Sequence, residues 1–146
     1  MPRSDFAGTW ALIATEWRRA DGRHANPFGN DATGVLIYDA AGFMSAQIMR
    51  AGRPPLPPDR PTGIDAAFSS AVPGYVAYFG TYDVDDAARR VVHRVIGAAF
   101  PAWIGLEFSR GFRFEGDTLT LTDDLVTSDG VAVAAATTWR RVGTRT

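Results

Sequence analysis

Apolar and polar residues alternate along most of this chain, with the two-residue period of β-strands. The pattern predicts eight strands, separated mostly by short turns of the kind that join antiparallel neighbours. The predicted strands cover residues 10–17, 34–39, 43–50, 75–84, 89–96, 103–114, 118–122 and 131–142. One segment differs, because residues 62–71 have apolar positions at helical spacing. This segment predicts a short helix over one end of the sheet.

The first and last predicted strands carry matching anchors, Gly8-Thr9-Trp10 and Trp139-Arg140-Arg141. When the first and last strands of a sheet pair with each other, no free edge remains. We therefore predict an all-β fold, an eight-stranded up-and-down antiparallel barrel, with residues 1–146 forming a single domain. A barrel of about eight strands has room for side chains and one small ligand, so its interior is the place to look for function.

An ordered series of short motifs runs through nearly the whole chain. The series is Gly8-Thr9-Trp10, Gly34-x-Leu36-x-Tyr38, Gly42-x-Met44-Ser45-x-Gln47, Ala77-Tyr78-Phe79-Gly80-Thr81-Tyr82, His93, Pro101-x-Trp103-x-Gly105, Arg110-x-Phe112 and Gly116-Asp117-x-Leu119. It resembles the bacterial lipocalin-like domain proteins, which have a calycin-type β-barrel. The resemblance implies this fold and an arginine of the last strand packed on Trp10. It implies no particular reaction, because members of the family mostly lack an assigned one.

Composition removes several classes of function. The net charge is −1 and the arginines are scattered, so no basic surface for nucleic acid is expected. The absence of cysteine excludes disulfides and thiolate chemistry, and the two histidines cannot build a three-histidine metal site. We expect no cofactor and no metal. Without an apolar run of signal-peptide or membrane-span length, we expect no membrane partner and a cytoplasmic location.

Four residues are candidates for acid–base chemistry. His93 alternates with valines in its strand, which places an imidazole on an otherwise apolar face. It is either a satisfied core histidine or a general base. Tyr78 and Tyr82 share one face of their strand and could donate to a developing oxyanion. Arg110 alternates with phenylalanines, and if it points inward it would attract a carboxylate, enolate or phenolate.

A further six residues are candidates for ligand binding. Propagating the alternation from an inward Trp10 places Glu16 on the inner face, either solvated at the rim or paired with a buried partner. The other five offer a lid, polar groups or an apolar wall, and they are Phe28, Tyr38, Gln47, Trp103 and Phe112. Gly80 lies between two tyrosines, where it either leaves space for a ligand or permits a close backbone approach.

Three hypotheses for function remain open. The first is a binding protein that holds a small, mostly apolar organic molecule, with aromatic molecules included in that class, inside the barrel. The alternative is a cofactor-independent isomerase, cyclase or lyase that acts on a carbonyl-containing metabolite, with His93 as general base. The third is an interaction scaffold, since alternation from Trp10 points Trp17 outward, where it would suit a homodimer.

Overall fold

The chain folds as a closed antiparallel barrel in a computed structural model that describes residues 2–22, 28–53, 74–126 and 130–143. A short N-terminal helix, α1, spans Pro2–Phe6. The strands are β1 Gly8–Arg19, β2 Thr33–Tyr38, β3 Phe43–Met49, β4 Tyr75–Asp85, β5 Arg90–Ala98, β6 Glu107–Glu115, β7 Thr118–Val126 and β8 Ala132–Arg141. Each strand pairs with the next, and β1 also pairs with β8, which closes the barrel. The predicted eight-stranded up-and-down barrel is confirmed.

Two predicted elements need comment. The strand predicted to begin at Trp103 begins instead at Glu107, because Pro101–Trp103 form a 3-10 turn between β5 and β6. Proline at the first position of that turn has its φ preset for a helical conformation and lacks the N–H that a sheet would require. The predicted helix over residues 62–71 lies outside the described residues.

A β-bulge in β1 reverses which side chains in the second half of that strand face the barrel interior. The pairing of β1 with β8 shifts between Leu12 and Ala14, so Ile13 is the extra residue. A bulge of one residue exchanges the inner and outer faces for everything beyond it. Trp17 therefore lies opposite Ala135 on the inner face, and the expectation that it points outward is wrong.

Glu16 is affected by the same shift. Its side chain is 56% exposed on the outer face and forms an ion pair with Arg18 at 2.7 Å. The expectation of an inward Glu16 is therefore wrong, because simple alternation from Trp10 cannot register the extra residue.

Helix α1 fills the end of the barrel from which β1 starts, which we call the α1 end. The Phe6 ring is fully buried there and meets Phe112 and Phe114 edge to face, with ring centres 4.9 Å apart in each pair. The Trp10 indole N–H donates to the Phe6 carbonyl at 2.9 Å. Arg141 lies over the Trp10 ring at 4.2 Å and donates to the carbonyl of Ala7, so the last strand ties down the helix. These contacts make the α1 end a packed hydrophobic core.

Gly80 marks a second irregularity, where the pairing of β4 with β5 shifts between Phe79 and Gly80. A Cβ atom at this position would overlap the Arg94 carbonyl, so the close-approach interpretation of this glycine is confirmed. The extra residue is Ile96 on β5, so the alternation of β4 is unbroken and both Tyr78 and Tyr82 are buried in the interior.

Candidate functional site

Two tyrosine hydroxyls hold His93 inside the barrel. His93 is 1% exposed. Its Nε2 lies 2.6 Å from the hydroxyl of Tyr38, and its Nδ1 lies 2.7 Å from the hydroxyl of Tyr78. The three residues come from β2, β5 and β4, so the barrel closure brings them together. Both nitrogens of the imidazole are thus engaged by neighbouring side chains.

Burial keeps this group of side chains uncharged. Burial and, secondarily, the nearby Arg110 charge lower the pKa of His93 from 6.5 to about 3, so the imidazole is neutral near pH 7. Burial also raises the pKa of Tyr38 and that of Tyr78, although the Arg110 charge opposes the rise in both. Both hydroxyls are therefore protonated at neutral pH.

An ion pair continues the group toward the other end of the barrel, which we call the distal end. The Arg110 guanidinium lies 2.8 Å from the carboxylate of Asp123, and the two side chains are 23% and 22% exposed. Arg110 also acts on the Tyr78 hydroxyl and holds the pKa of that phenol below the value that burial alone would give. Burial alone would lower the pKa of Arg110, but the neighbouring Tyr78 and Asp123 outweigh it and raise that pKa. The inward orientation considered for Arg110 is the one found, with a partner that sequence analysis missed.

We call the five residues Tyr38, His93, Tyr78, Arg110 and Asp123 the polar cluster. The register of the β6–β7 hairpin could have predicted its last member. Gly111 pairs with Thr122, so the next residues along, Arg110 and Asp123, are cross-strand neighbours. Asp123 also follows the inward alternation of Leu119 and Leu121, both of which are buried. Counting residue pairs outward from the β6–β7 turn therefore predicts that the Asp123 carboxylate lies opposite Arg110.

Aromatic and small residues surround the distal part of the polar cluster. The Trp103 ring meets Tyr78 at 6.0 Å and Phe108 at 5.3 Å, both edge to face. The Arg110 guanidinium lies 5.2 Å from the centre of the Phe108 ring. Along the wall from β7 to β1, Asp123, Ala135 and Trp17 form one row on neighbouring strands. Trp103, predicted as part of a ligand-binding wall, therefore adjoins the cluster.

Two predicted site residues lie at the α1 end instead. The Tyr82 hydroxyl donates to the backbone carbonyl of Asp39 at 2.7 Å, and burial raises its pKa. Phe112 is 8% exposed and packs on Phe6. Both side chains complete the packed core around α1, and neither joins the polar cluster.

Gln47 is exposed on the outer face of β3, where it accepts a hydrogen bond from Tyr75 at 2.7 Å. The inward neighbours on this strand are Met44 and Ala46, so the Gln47 side chain does not face the barrel interior, where the predicted ligand would bind. Phe28 is half-buried between β1 and β2, and its predicted role as a lid stays a prediction.

Two broader features of the described residues bear on function. They contain no group of three or more His, Asp or Glu side chains arranged to hold a metal ion. None of their helices is long and apolar enough to cross a membrane.

Comparison with known proteins gives both a family and a relative. The lipocalin-like domain family matches residues 7–142. The 4′-hydroxy-3′-methoxypropiophenone carrier protein ppsC of Aspergillus oryzae is 36% identical over 108 residues, which cover 68% of this chain and 96% of that protein. The crystal structure of rhizavidin is similar with a TM-score of 0.37 and 13% sequence identity. This match covers 98% of this chain and 89% of the rhizavidin chain. A rhizavidin–biotin complex matches at 14% identity with a TM-score of 0.31, covering 92% of this chain and 96% of its own.

Proposed function

This chain belongs to the lipocalin-like domain family, and we propose that it is a carrier that holds one small aromatic molecule in the distal half of its barrel. The observation that carries the proposal is the Arg110–Asp123 pair, which is inside the barrel yet partly exposed. Pockets that orient small molecules combine apolar walls with a few polar groups. Trp103 and Phe108 supply such a wall directly beside this pair.

The carrier relative supports the same proposal. Its name specifies an aromatic ketone that bears a hydroxyl and a methoxy group. A molecule of that class has a flat ring for edge-to-face contact with Trp103 and Phe108, and oxygens for Tyr78 and Arg110. At the α1 end, by contrast, Phe6 already occupies the interior.

The enzyme hypothesis has one observation in its favour. His93, Tyr78 and Arg110 do converge, as an acid–base mechanism on a carbonyl substrate requires. However, each His93 nitrogen already has a tyrosine partner, and a pKa of about 3 makes the imidazole a poor proton acceptor near pH 7. The catalytic roles predicted for His93, Tyr78, Tyr82 and Arg110 therefore rank below binding.

Native mass spectrometry on protein purified gently from its own cells tests the proposal. We expect one retained aromatic molecule per chain, recovered unchanged after denaturation. Titration of ligand-free protein with 4′-hydroxy-3′-methoxypropiophenone, followed by tryptophan fluorescence, should then give saturable binding at one site. Chemical conversion of the added compound would favour the enzyme hypothesis. An empty protein that also fails to bind any aromatic ketone would contradict the carrier proposal.

A further inference from the structure

The hydrogen bonds around His93 determine where the protons of the polar cluster lie. A neutral imidazole has one nitrogen that accepts and one that donates. Among the described residues, the Tyr38 hydroxyl has no acceptor other than His93 Nε2, so its proton must go there. Nδ1 then carries the ring proton and donates it to Tyr78.

Tyr78 is left with a hydroxyl proton to donate. Its oxygen accepts from His93 Nδ1, and the positive charge of Arg110 lies nearby. None of the hydrogen bonds found among the described residues gives the Tyr78 proton an acceptor. The Tyr78 ring contacts Trp103 in the distal half, whereas the Tyr38 ring packs toward the α1 end. The donor therefore belongs to the tyrosine that lies nearer the distal half.

The charges near this donor already balance. Arg110 is paired with Asp123 at 2.8 Å, and Arg19, on the inner face of β1, is paired with Asp21 at 3.0 Å. His93 and the two tyrosines are neutral near pH 7. These two inward-facing arginines thus each have a carboxylate partner, which weakens their attraction for an anionic ligand. Asp123 adds a carboxylate, which can only accept hydrogen bonds.

From the free Tyr78 proton and the Asp123 carboxylate beside Arg110, we propose that the ligand places an un-ionised hydroxyl, a phenol on an aromatic molecule, against this part of the cluster. The hydroxyl oxygen accepts from Tyr78, and the hydroxyl proton goes to Asp123. A methyl ether can accept but cannot donate, and a carboxylate lacks the proton and repels Asp123. Asp123 is then a specificity-determining residue. This inference rests on the proposed carrier function.

Three matched probes test the inference on the whole chain. They are 4′-hydroxy-3′-methoxypropiophenone, its analogue with methoxy in place of the hydroxyl, and its analogue with a carboxylate there. Titrations at about pH 6 keep the phenol un-ionised and the carboxylate ionised. We expect the unmodified protein to bind the phenol at least roughly ten-fold more tightly than either analogue.

Two variants locate the cause of that preference. Asp123→Asn should narrow the ratio of phenol to carboxylate affinity by roughly ten-fold or more, because it removes the repelling charge. Asp124→Asn also removes one negative charge, but from the next residue, whose side chain is exposed on the outer face of the barrel. This variant should leave the ratio of phenol to carboxylate affinity unchanged. Circular dichroism of each variant confirms that the fold is retained.

Each alternative result has a separate meaning. Equal or tighter binding of the carboxylate by the unmodified protein would overturn the inference and leave the carrier proposal standing. The same holds if Asp123→Asn and Asp124→Asn change the ratio equally. If neither the probes nor a panel of other aromatic ketones bind, the inference and the carrier proposal both fail.

Discussion

The two halves of the barrel interior use different chemistry. At the α1 end, Phe6, Trp10 and Trp139 are almost fully buried among aromatic and aliphatic neighbours. The distal half instead carries the partly exposed Arg110–Asp123 pair. The α1 end resembles the core of any small domain, whereas the distal half retains charged groups that a core designed only for stability would exclude. We therefore assign stability mainly to the first region and propose ligand binding for the second.

Replacing one tryptophan in each region should separate the two roles. Trp10→Ala removes a fully buried ring and its hydrogen bond to Phe6, and should lower the free energy of unfolding by about 3–5 kcal/mol. Trp103→Ala removes a partly buried ring beside the polar cluster. It should lower the free energy of unfolding clearly less than Trp10→Ala does, and it should weaken binding of an aromatic ketone. Urea unfolding and fluorescence titration measure the two effects. Equal loss of stability in both variants would contradict the division into two regions.

The polar cluster should make stability depend on pH. Burial holds the pKa of His93 at about 3 in the folded protein, against 6.5 ordinarily, so the unfolded chain takes up a proton first as the pH falls. The stabilising contribution is complete above about pH 6.5 and is lost progressively toward pH 3. Between about pH 6.5 and 4.5 the unmodified protein should lose roughly 2–3 kcal/mol more than His93→Gln, which cannot titrate there. Urea unfolding at a series of pH values measures the free energy of unfolding of both proteins. If that free energy falls equally in both as the pH drops, His93 is not the source of the pH dependence.

A pair of tyrosines compares the interior with the outer face. Tyr78→Phe removes the hydroxyl beside His93 and Arg110, and should weaken binding of a phenolic ketone by roughly ten-fold. Tyr75→Phe removes a hydroxyl that bonds Gln47 on the outer face, and should leave affinity unchanged. Isothermal titration calorimetry of both variants measures the contrast. A larger loss in Tyr75→Phe would move the site to the outside of the barrel.

The smallest effect is expected at Glu16. Because this side chain is exposed and paired only with a neighbour on its own strand, Glu16→Gln should change the free energy of unfolding by less than about 0.5 kcal/mol. Ligand affinity should stay within about two-fold of the unmodified value. A ten-fold loss in calorimetry would mean that Glu16 reaches the interior after all.

The sequence predicts the barrel well because alternation and turns are local signals. The inward faces of Tyr38 and His93 follow from them, whereas alternation left the direction of Arg110 open and did not exclude a binding role for Gln47, which faces outward. The bulge at Ile13 has no comparable local signal, so the predicted faces of Glu16 and Trp17 were exchanged. Register across the β6–β7 hairpin was available from the turn, and using it would have found Asp123.

What sequence could not supply is the set of contacts between distant strands. The two hydrogen bonds of His93 join residues separated by 55 and 15 positions. Such contacts depend on barrel closure, strand stagger and side-chain length together. The role of Phe6 in filling the α1 end likewise depends on where a short helix docks, which its own five residues do not specify.

Blocking the distal half tests the central claim most directly. Ala135 lies on the inner face opposite Trp17 and Asp123, and its neighbour Ala134 is exposed on the outer face. A tryptophan at each position adds the same side chain on opposite sides of one strand. Calorimetric titration with 4′-hydroxy-3′-methoxypropiophenone should show binding abolished in Ala135→Trp and preserved in Ala134→Trp, with both variants folded by circular dichroism. Full binding by a folded Ala135→Trp would contradict the claim that the ligand occupies the distal half of the barrel.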